Sequence, residues 1–204
     1  MRVSSSLIAA VCLACAPALA AERCPIAEDM DGAGVAVAFA DGSVVTYARR
    51  DDTVLEITRF DDPERDFWLE SHLGVYPLAD GSMRRGAPDR RYVVTSRYPV
   101  PLEELPAPEV GMIWSGDLKE IDSNGVELGA SSLSVKVSGL RPKTLGECAY
   151  PAMQVETLFT SPDGGYQATL DYIPDLGIGV QTAGGPLGAL LDFYRPVAIS
   201  PVAP

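Results

Sequence analysis

Short stretches of alternating apolar and polar residues, separated by tight-turn dipeptides, run along most of the chain. In the stretch 133–138, every second residue is Leu or Val and the residues between them are Ser or Lys. A period of two is typical of a strand with one buried face. Asp41-Gly42 and Asn124-Gly125 stand between such stretches and are strong hairpin signals. The pattern predicts about ten to twelve short strands connected by tight turns.

This strand pattern predicts a mostly β fold, a single antiparallel β domain with little helix, built as a half-barrel, a barrel or a sandwich. Only 186–194 (PLGALLDFY) has helical spacing, and it is short. The segment 99–108 (PVPLEELPAP) contains four prolines and cannot hold a regular strand ladder. We therefore expect this segment to cross the domain as extended chain. In one possible arrangement of the domain, it joins two β halves.

Three further local features are predicted from the turn residues. Asp80-Gly81 predicts a turn, and the Arg-, Gly- and Pro-containing stretch 83–91 predicts an exposed loop. Leu73-Gly74 and Leu176-Gly177 each follow an aromatic strand, so they predict two similar strand bends.

The first 20 residues have the three parts of a secretory signal peptide. Arg2 is followed by an apolar run over 7–16 and by the small-residue signal at 18–20. The apolar run is too short to span a membrane, and no later stretch is long enough. We expect cleavage after Ala20, a domain over 21–204, and a periplasmic or secreted protein without a transmembrane segment. Lipidation at Cys15 is the alternative.

Removal of the leader leaves two cysteines, Cys24 and Cys148. Exported proteins meet an oxidising compartment, where two thiols tend to be joined. Two cysteines and the single histidine do not supply a four-ligand zinc site without carboxylates. The sequence therefore predicts a Cys24–Cys148 disulfide.

The chain is strongly acidic, with a formal net charge of −12 that becomes −13 when Arg2 is lost with the leader. Such a charge repels phosphate backbones and anionic lipid headgroups. We therefore expect no nucleic-acid partner and read the charge chiefly as a contribution to solubility.

The chain contains no recognisable catalytic, metal or cofactor signature. His72, the single histidine, follows Ser71, but neighbours on a strand point to opposite faces, so we predict a surface histidine. An apolar ligand pocket is the hypothesis for five aromatic residues, with ordinary core packing as the alternative: Trp68, Tyr76, Tyr92, Trp114 and Tyr172.

Two charged clusters suggest other interactions. A basic cluster could dock an anion or could pair with the protein's own acidic surface: Arg84, Arg85, Arg90 and Arg91. An acidic loop cluster could perform glycosidase-type acid/base chemistry or could only aid solubility: Asp61, Asp62, Glu64 and Asp66.

Two stretches carry a family resemblance: GECAYPAMQVET at 146–157 and YIPDLGIGV at 172–180. They resemble the tail pattern of uncharacterised secreted proteins of Gram-negative bacteria. The sheet-rich plan is also similar to periplasmic β half-barrels such as lipoprotein-carrier domains. The resemblance implies a strand bend shaped by Tyr, Pro, Leu and Gly, and it implies no catalytic residue.

The leading hypothesis is a non-enzymatic periplasmic binding or envelope-associated protein that holds an apolar molecule or another envelope component. The first alternative is a glycan or cell-wall hydrolase that uses the carboxylates of 61–66. The second is an interaction module that docks through Arg84–Arg91.

Overall fold

The computed structural model describes residues 23–203, which form one antiparallel sheet of 13 strands and very little helix. The predicted signal peptide and Cys15 lie outside the described residues. The structure confirms the predicted mostly β, antiparallel fold. The one α-helix, α1, covers Ala27–Met30, and 3-10 turns cover Pro63–Arg65 and Leu102–Glu104. The strands are β1 Val35–Phe39, β2 Val44–Arg50, β3 Thr53–Arg59, β4 Phe67–His72, β5 Tyr76–Arg84, β6 Ala87–Arg97, β7 Ile113–Ile121, β8 Glu127–Leu145, β9 Cys148–Ser161, β10 Gly164–Ile173, β11 Ile178–Pro186, β12 Asp192–Phe193 and β13 Pro196–Pro201.

The strand order is a continuous meander. Each strand from β1 to β11 pairs with the next one along the chain, and β13 returns to pair with β1. The Asn124-Gly125 turn between β7 and β8 is confirmed: Gly125 has φ +82°, and Asp122 Oδ1 accepts hydrogen bonds from the N–H groups of Asn124 and Val126. Asp41-Gly42 joins β1 to β2 in the same way. The sheet is open, because β12 and β13 are its two edges.

The Pro-rich segment 99–108 connects neighbouring strands within this one sheet. β6 and β7 pair only from Thr95↔Ile121 to Arg97↔Lys119, which is the shortest pairing in the middle of the sheet. The segment packs its Leu105 side chain into the core, and Pro106 O accepts a 2.8 Å hydrogen bond from the Tyr76 hydroxyl. It therefore covers part of the core.

Two local predictions were wrong. β5 continues through Asp80-Gly81, and the predicted loop 83–91 is instead a β5–β6 hairpin with Arg85-Gly86 at its tip. Gly81 is needed for close approach: a Cβ there would lie 2.8 Å from Tyr92 O and 3.1 Å from Trp68 Nε1. The short stretch 186–194 with helical spacing forms no helix: residues 187–191 are a loop between the end of β11 and β12.

The two Leu-Gly positions form hairpin turns rather than bends within strands. Leu73-Gly74 joins β4 to β5, and Leu176-Gly177 joins β10 to β11. The turns are in contact across the molecule. A Cβ on Gly74 would lie 2.6 Å from Gly177 O, and one on Gly179 would lie 2.6 Å from Gly74 O. Only glycine allows the backbones to come this close, and the contact folds β4–β5 over β10–β11.

The folded sheet encloses two buried apolar clusters. One, which we call the disulfide cluster, joins β1–β3 and β13 to the adjoining ends of β8–β11. Eight of its members have no exposed surface: Met30, Val35, Val37, Ala152, Ile173, Leu176, Ile178 and Val180. It contains the predicted Cys24–Cys148 disulfide, which the structure confirms. The second cluster lies between the start of β5 and strands β7–β10. Within residues 23–203, no helix is long and apolar enough to cross a membrane.

Candidate ligand-binding groove

An open groove lies between strands β3–β5 and strands β7–β11. Its main cavity has a volume of about 400 Å³, and a smaller cavity of about 140 Å³ adjoins it. The two cavities share four lining residues: Glu56, Phe67, Tyr166 and Gln181. We call the two together the interior groove. Their combined volume is in the range of small-molecule sites, which is about 300–1,000 Å³.

The strand register explains why polar side chains face this groove. Glu56 pairs with Leu69, and Leu69 pairs with Asp80. Residues directly opposite in an antiparallel sheet point to the same face. Glu56, Leu69 and Asp80 therefore form one row across β3, β4 and β5. On the neighbouring strands, the pair Ser96↔Glu120 brings a third carboxylate to the same cavity.

The walls of the groove are mainly apolar. The side chains that supply this surface come from β4 and from β8–β10: Phe67, Leu69, Leu133, Phe159, Ala168 and Leu170. Such walls favour the hydrocarbon or aromatic part of a ligand, because burying apolar surface is the main source of binding free energy for small molecules.

Two carboxyl groups in the groove, those of Glu56 and Asp80, have raised pKa values. Burial raises the pKa of Glu56 to about 7, and a hydrogen bond from Thr58 opposes the shift. Burial raises the pKa of Asp80 to about 6, and the nearby Glu120 carboxylate raises it further. Solvent still reaches Asp80 through the mouth of the groove, which limits the free energy that its shift represents.

Some of the groove carboxylates have hydrogen-bond donors, but none has a cationic partner among the lining residues. Glu120 Oε2 accepts a 2.8 Å hydrogen bond from Ser131, and Asp41 in the smaller cavity accepts hydrogen bonds from Ser43. Among residues 23–203, no Lys, Arg or His side chain lines either cavity. A buried carboxylate is usually paired or else takes up a proton. The groove is thus a negatively charged site with apolar walls.

Two tyrosines and a glutamine form one end of the groove. Gln181 Nε2 donates a 2.9 Å hydrogen bond to the Tyr166 hydroxyl. Burial raises the pKa of Tyr194 to about 12, and the adjacent Tyr166 adds to the shift. The Tyr194 phenol therefore stays protonated at neutral pH, and the Gln181 amide beside it also offers hydrogen bonds without charge.

A second cleft, of about 580 Å³, lies at the rim beside the Leu73-Gly74 turn. Two of its lining side chains, those of Arg49 and His72, already have partners within the protein. Arg49 forms a 2.8 Å ion pair with Asp31, and His72 Nδ1 lies 3.2 Å from Asp52 O. The prediction of a surface histidine was wrong, because His72 is at the end of β4 with only 8% of its surface exposed. The interior groove is the better candidate, because it combines mainly apolar walls with carboxylates that have no cationic partner among its lining residues.

The five aromatic candidates do not come together in the interior groove. Tyr76 is fully buried, and Trp114 packs edge-on against it at 5.2 Å between ring centroids. Tyr172 borders the rim cleft. Trp68 lies on the opposite face of the sheet, over Gly81, and Tyr92 is 70% exposed. A ligand-binding role for these residues stays a prediction.

The four arginines lie along the β5–β6 hairpin, all of them exposed: Arg84, Arg85, Arg90 and Arg91. Arg91 forms a two-point contact with Asp89, with N–O distances of 2.6 and 2.9 Å. This contact lowers the pKa of Asp89 to about 2. Arg91 thus pairs with the protein's own carboxylate, and anion docking by this cluster stays a prediction.

Two carboxylates of 61–66 hold their own loop in place. Asp62 Oδ1 accepts a hydrogen bond from the Glu64 N–H, and the buried Asp66 accepts one from the Phe60 N–H. Asp66 also lies 3.5 Å from Arg59. A hydrolase role for this cluster stays a prediction. In the part of the chain that the structure describes, no three His, Cys, Asp or Glu side chains are arranged to hold a metal ion.

The sequence analysis did not identify Glu56, Asp80 or Glu120. A signal for one of them was present: Glu56 stands between Val54 and Thr58, two buried residues of the same alternating row of β3. The other face of β3, with Leu55 and Ile57, is also apolar, so alternation alone did not show which face is inside.

No protein-family model matches the chain, and no curated protein matches it. Among solved structures, the chain is similar to the crystal structure of the hypothetical lipoprotein YmcC from Escherichia coli. The identity is 14%, the match covers 82% of this chain and 86% of the YmcC chain, and the TM-score is 0.41. A likeness at this level carries no argument about function.

Proposed function

We propose that this protein is a non-enzymatic binding protein of the cell envelope that holds an apolar molecule in the interior groove. The observation that supports the proposal most directly is the groove itself, with its apolar walls and few polar groups. Sites for small molecules have this composition. Because the polar groups are mainly carboxyls, phenols and an amide without an activated nucleophile, binding fits the groove better than catalysis.

The cellular location rests on a separate observation. The Cys24–Cys148 bridge joins the start of the described chain to β9. Structural disulfides form and persist in oxidising compartments, and the bacterial periplasm is one of them. The bridge therefore supports an extracytoplasmic location, in agreement with the predicted leader.

A dye-binding experiment tests the proposal. N-phenyl-1-naphthylamine is a neutral apolar dye whose fluorescence rises when it leaves water. We expect the purified protein to bind it. Ala168 lies in the groove wall, so the variant Ala168→Trp should fill part of the cavity and weaken dye binding at least tenfold, which corresponds to about 1.4 kcal/mol.

The matched control is Ala130→Trp, which places the same side chain at an exposed position of β8. This variant should bind the dye as the unmodified protein does, and circular dichroism should show that both variants keep the sheet. If the unmodified protein does not bind the dye, or if Ala168→Trp binds it equally well, the groove is not the binding site.

A further inference from the structure

We propose that the ligand of the interior groove is a cationic amphiphile, a molecule with an apolar chain or ring system and a protonated amine. This inference rests on the proposed function, and it adds the charge of the ligand. The geometry that supports it is the placement of Glu56, Asp80 and Glu120 around one cavity whose remaining walls are mainly apolar.

The groove carboxylates are unfavourable for the fold to the extent that they are withdrawn from water: Glu56 and Glu120 are half-buried, whereas Asp80 is largely exposed. Moving a carboxylate from water into less polar surroundings is unfavourable unless a cation or several donors accompany it. Glu120 has a donor in Ser131, but no ion pair among residues 23–203 includes Glu56, Asp80 or Glu120.

Another carboxylate of this protein, that of Asp171, is buried and has cationic partners. Asp171 has no exposed surface, and the protein supplies two cations to it. Arg141 and Lys143 lie 2.7 and 2.6 Å from its two oxygens. The fold therefore does provide counter-charges for a fully buried carboxylate. In the groove it provides none, so charge complementarity favours a ligand that brings the cation itself.

Anionic and neutral amphiphiles fit the groove less well than cationic ones. An anionic amphiphile, such as a fatty acid, would place its carboxylate beside three like charges, and like charges in a site of low polarity repel strongly. A neutral amphiphile would fill the apolar part and leave the carboxylates without a partner. A cationic amphiphile can place its ammonium group at the Glu56–Asp80 row and its apolar part against the apolar walls, so it matches both parts of the groove.

Three probes with the same twelve-carbon chain separate these cases: dodecylamine, 1-dodecanol and dodecanoate. Each is used to displace the neutral dye from the unmodified protein at pH 7.5. We expect dodecylamine to bind at least tenfold more tightly than 1-dodecanol, and dodecanoate to bind most weakly. This comparison needs no variant, so it does not depend on how a substitution affects folding.

The variants then locate the cation. Glu56→Gln and Asp80→Asn remove one charge each and keep the shape of the side chain, so each should weaken dodecylamine binding about tenfold and leave 1-dodecanol binding unchanged. Glu109→Gln is the matched control, because Glu109 is an exposed acid that lines neither cavity of the groove. It should change neither affinity.

Two results overturn the inference and leave the proposed function standing: 1-dodecanol or dodecanoate binding as tightly as dodecylamine, or dodecylamine binding that both variants leave unchanged. If none of the three probes displaces the dye because the dye itself does not bind, the proposed function fails instead.

Discussion

The disulfide cluster and the interior groove lie side by side in the same folded sheet, and they are built differently. In the disulfide cluster, side chains such as Val37, Ile173 and Ile178 are fully excluded from water, and a covalent bridge crosses the region. In the groove, a carboxylate row lies against a cavity of about 400 Å³. The comparison indicates that this protein concentrates its stability in one region and keeps the polar groups of a binding site in the other.

The largest expected effect comes from breaking the bridge. The bridge closes a loop with a sequence separation of 124, and in the chain-entropy model its loss should lower the free energy of unfolding by about 4–5 kcal/mol. The double variant Cys24→Ser/Cys148→Ser tests this, with urea unfolding followed by tryptophan fluorescence. The unmodified protein with and without reductant is the control, and a loss below about 1 kcal/mol would contradict the assignment of stability to this region.

A core truncation should have the next largest effect. Ile178→Ala in the disulfide cluster removes a fully buried side chain, and we expect a loss of about 3 kcal/mol because such changes leave a cavity. Leu170→Ala is the matched comparison in the groove wall. Leu170 already borders a cavity, so its truncation should cost about 1–2 kcal/mol. Equal losses in urea unfolding would mean that the two regions do not differ in packing.

The smallest effect should be a gain in stability that depends on pH. The pKa of Glu56 is about 7 in the folded protein, against 4.5 for the ordinary side chain. Between these values the folded state binds more protons than the unfolded state, so this group's contribution is fully present below pH 4.5 and is lost as the pH rises through 7.

The substitution Glu56→Gln removes this pH-dependent loss of stability. We expect the variant to be about 1–3 kcal/mol more stable than the unmodified protein at pH 8 and nearly equal to it at pH 4.5. Thermal unfolding at both pH values measures the difference, and Glu109→Gln is the control. A difference that is the same at both pH values would show that Glu56 is not the group that titrates. A pH-dependent gain would sharpen the contrast between the two regions.

Local chemistry in the sequence predicted a large part of the fold. The turns at Asp41-Gly42 and Asn124-Gly125 and the Cys24–Cys148 bridge could be predicted because each depends on a few neighbouring residues or on the compartment. Gly81 was misread for the same reason. Glycine next to aspartate is typical of a turn, and only the Trp68 ring across the neighbouring strand explains why a strand needs glycine there.

The candidate site could not be predicted in this way. Glu56, Asp80 and Glu120 come from three strands that are far apart in the sequence, and their convergence depends on the register of β3–β7 and on the fold of the sheet onto itself. The Leu-Gly similarity between 73–74 and 176–177 was visible in the sequence. That these two positions touch, and so shape the groove, follows only from the three-dimensional structure.

The return of β13 to β1 sets the order in which the molecule can be completed. Among the described strands, β1 comes first in chain order and its outer partner β13 comes last, so one side of β1 has unsatisfied N–H and C=O groups until β13 is added. An unpaired strand edge of this kind can pair with a strand of another molecule as well as with β13. Nascent molecules that still lack 196–201 should therefore be the species most prone to aggregation, and a chaperone that shields β1 would protect them.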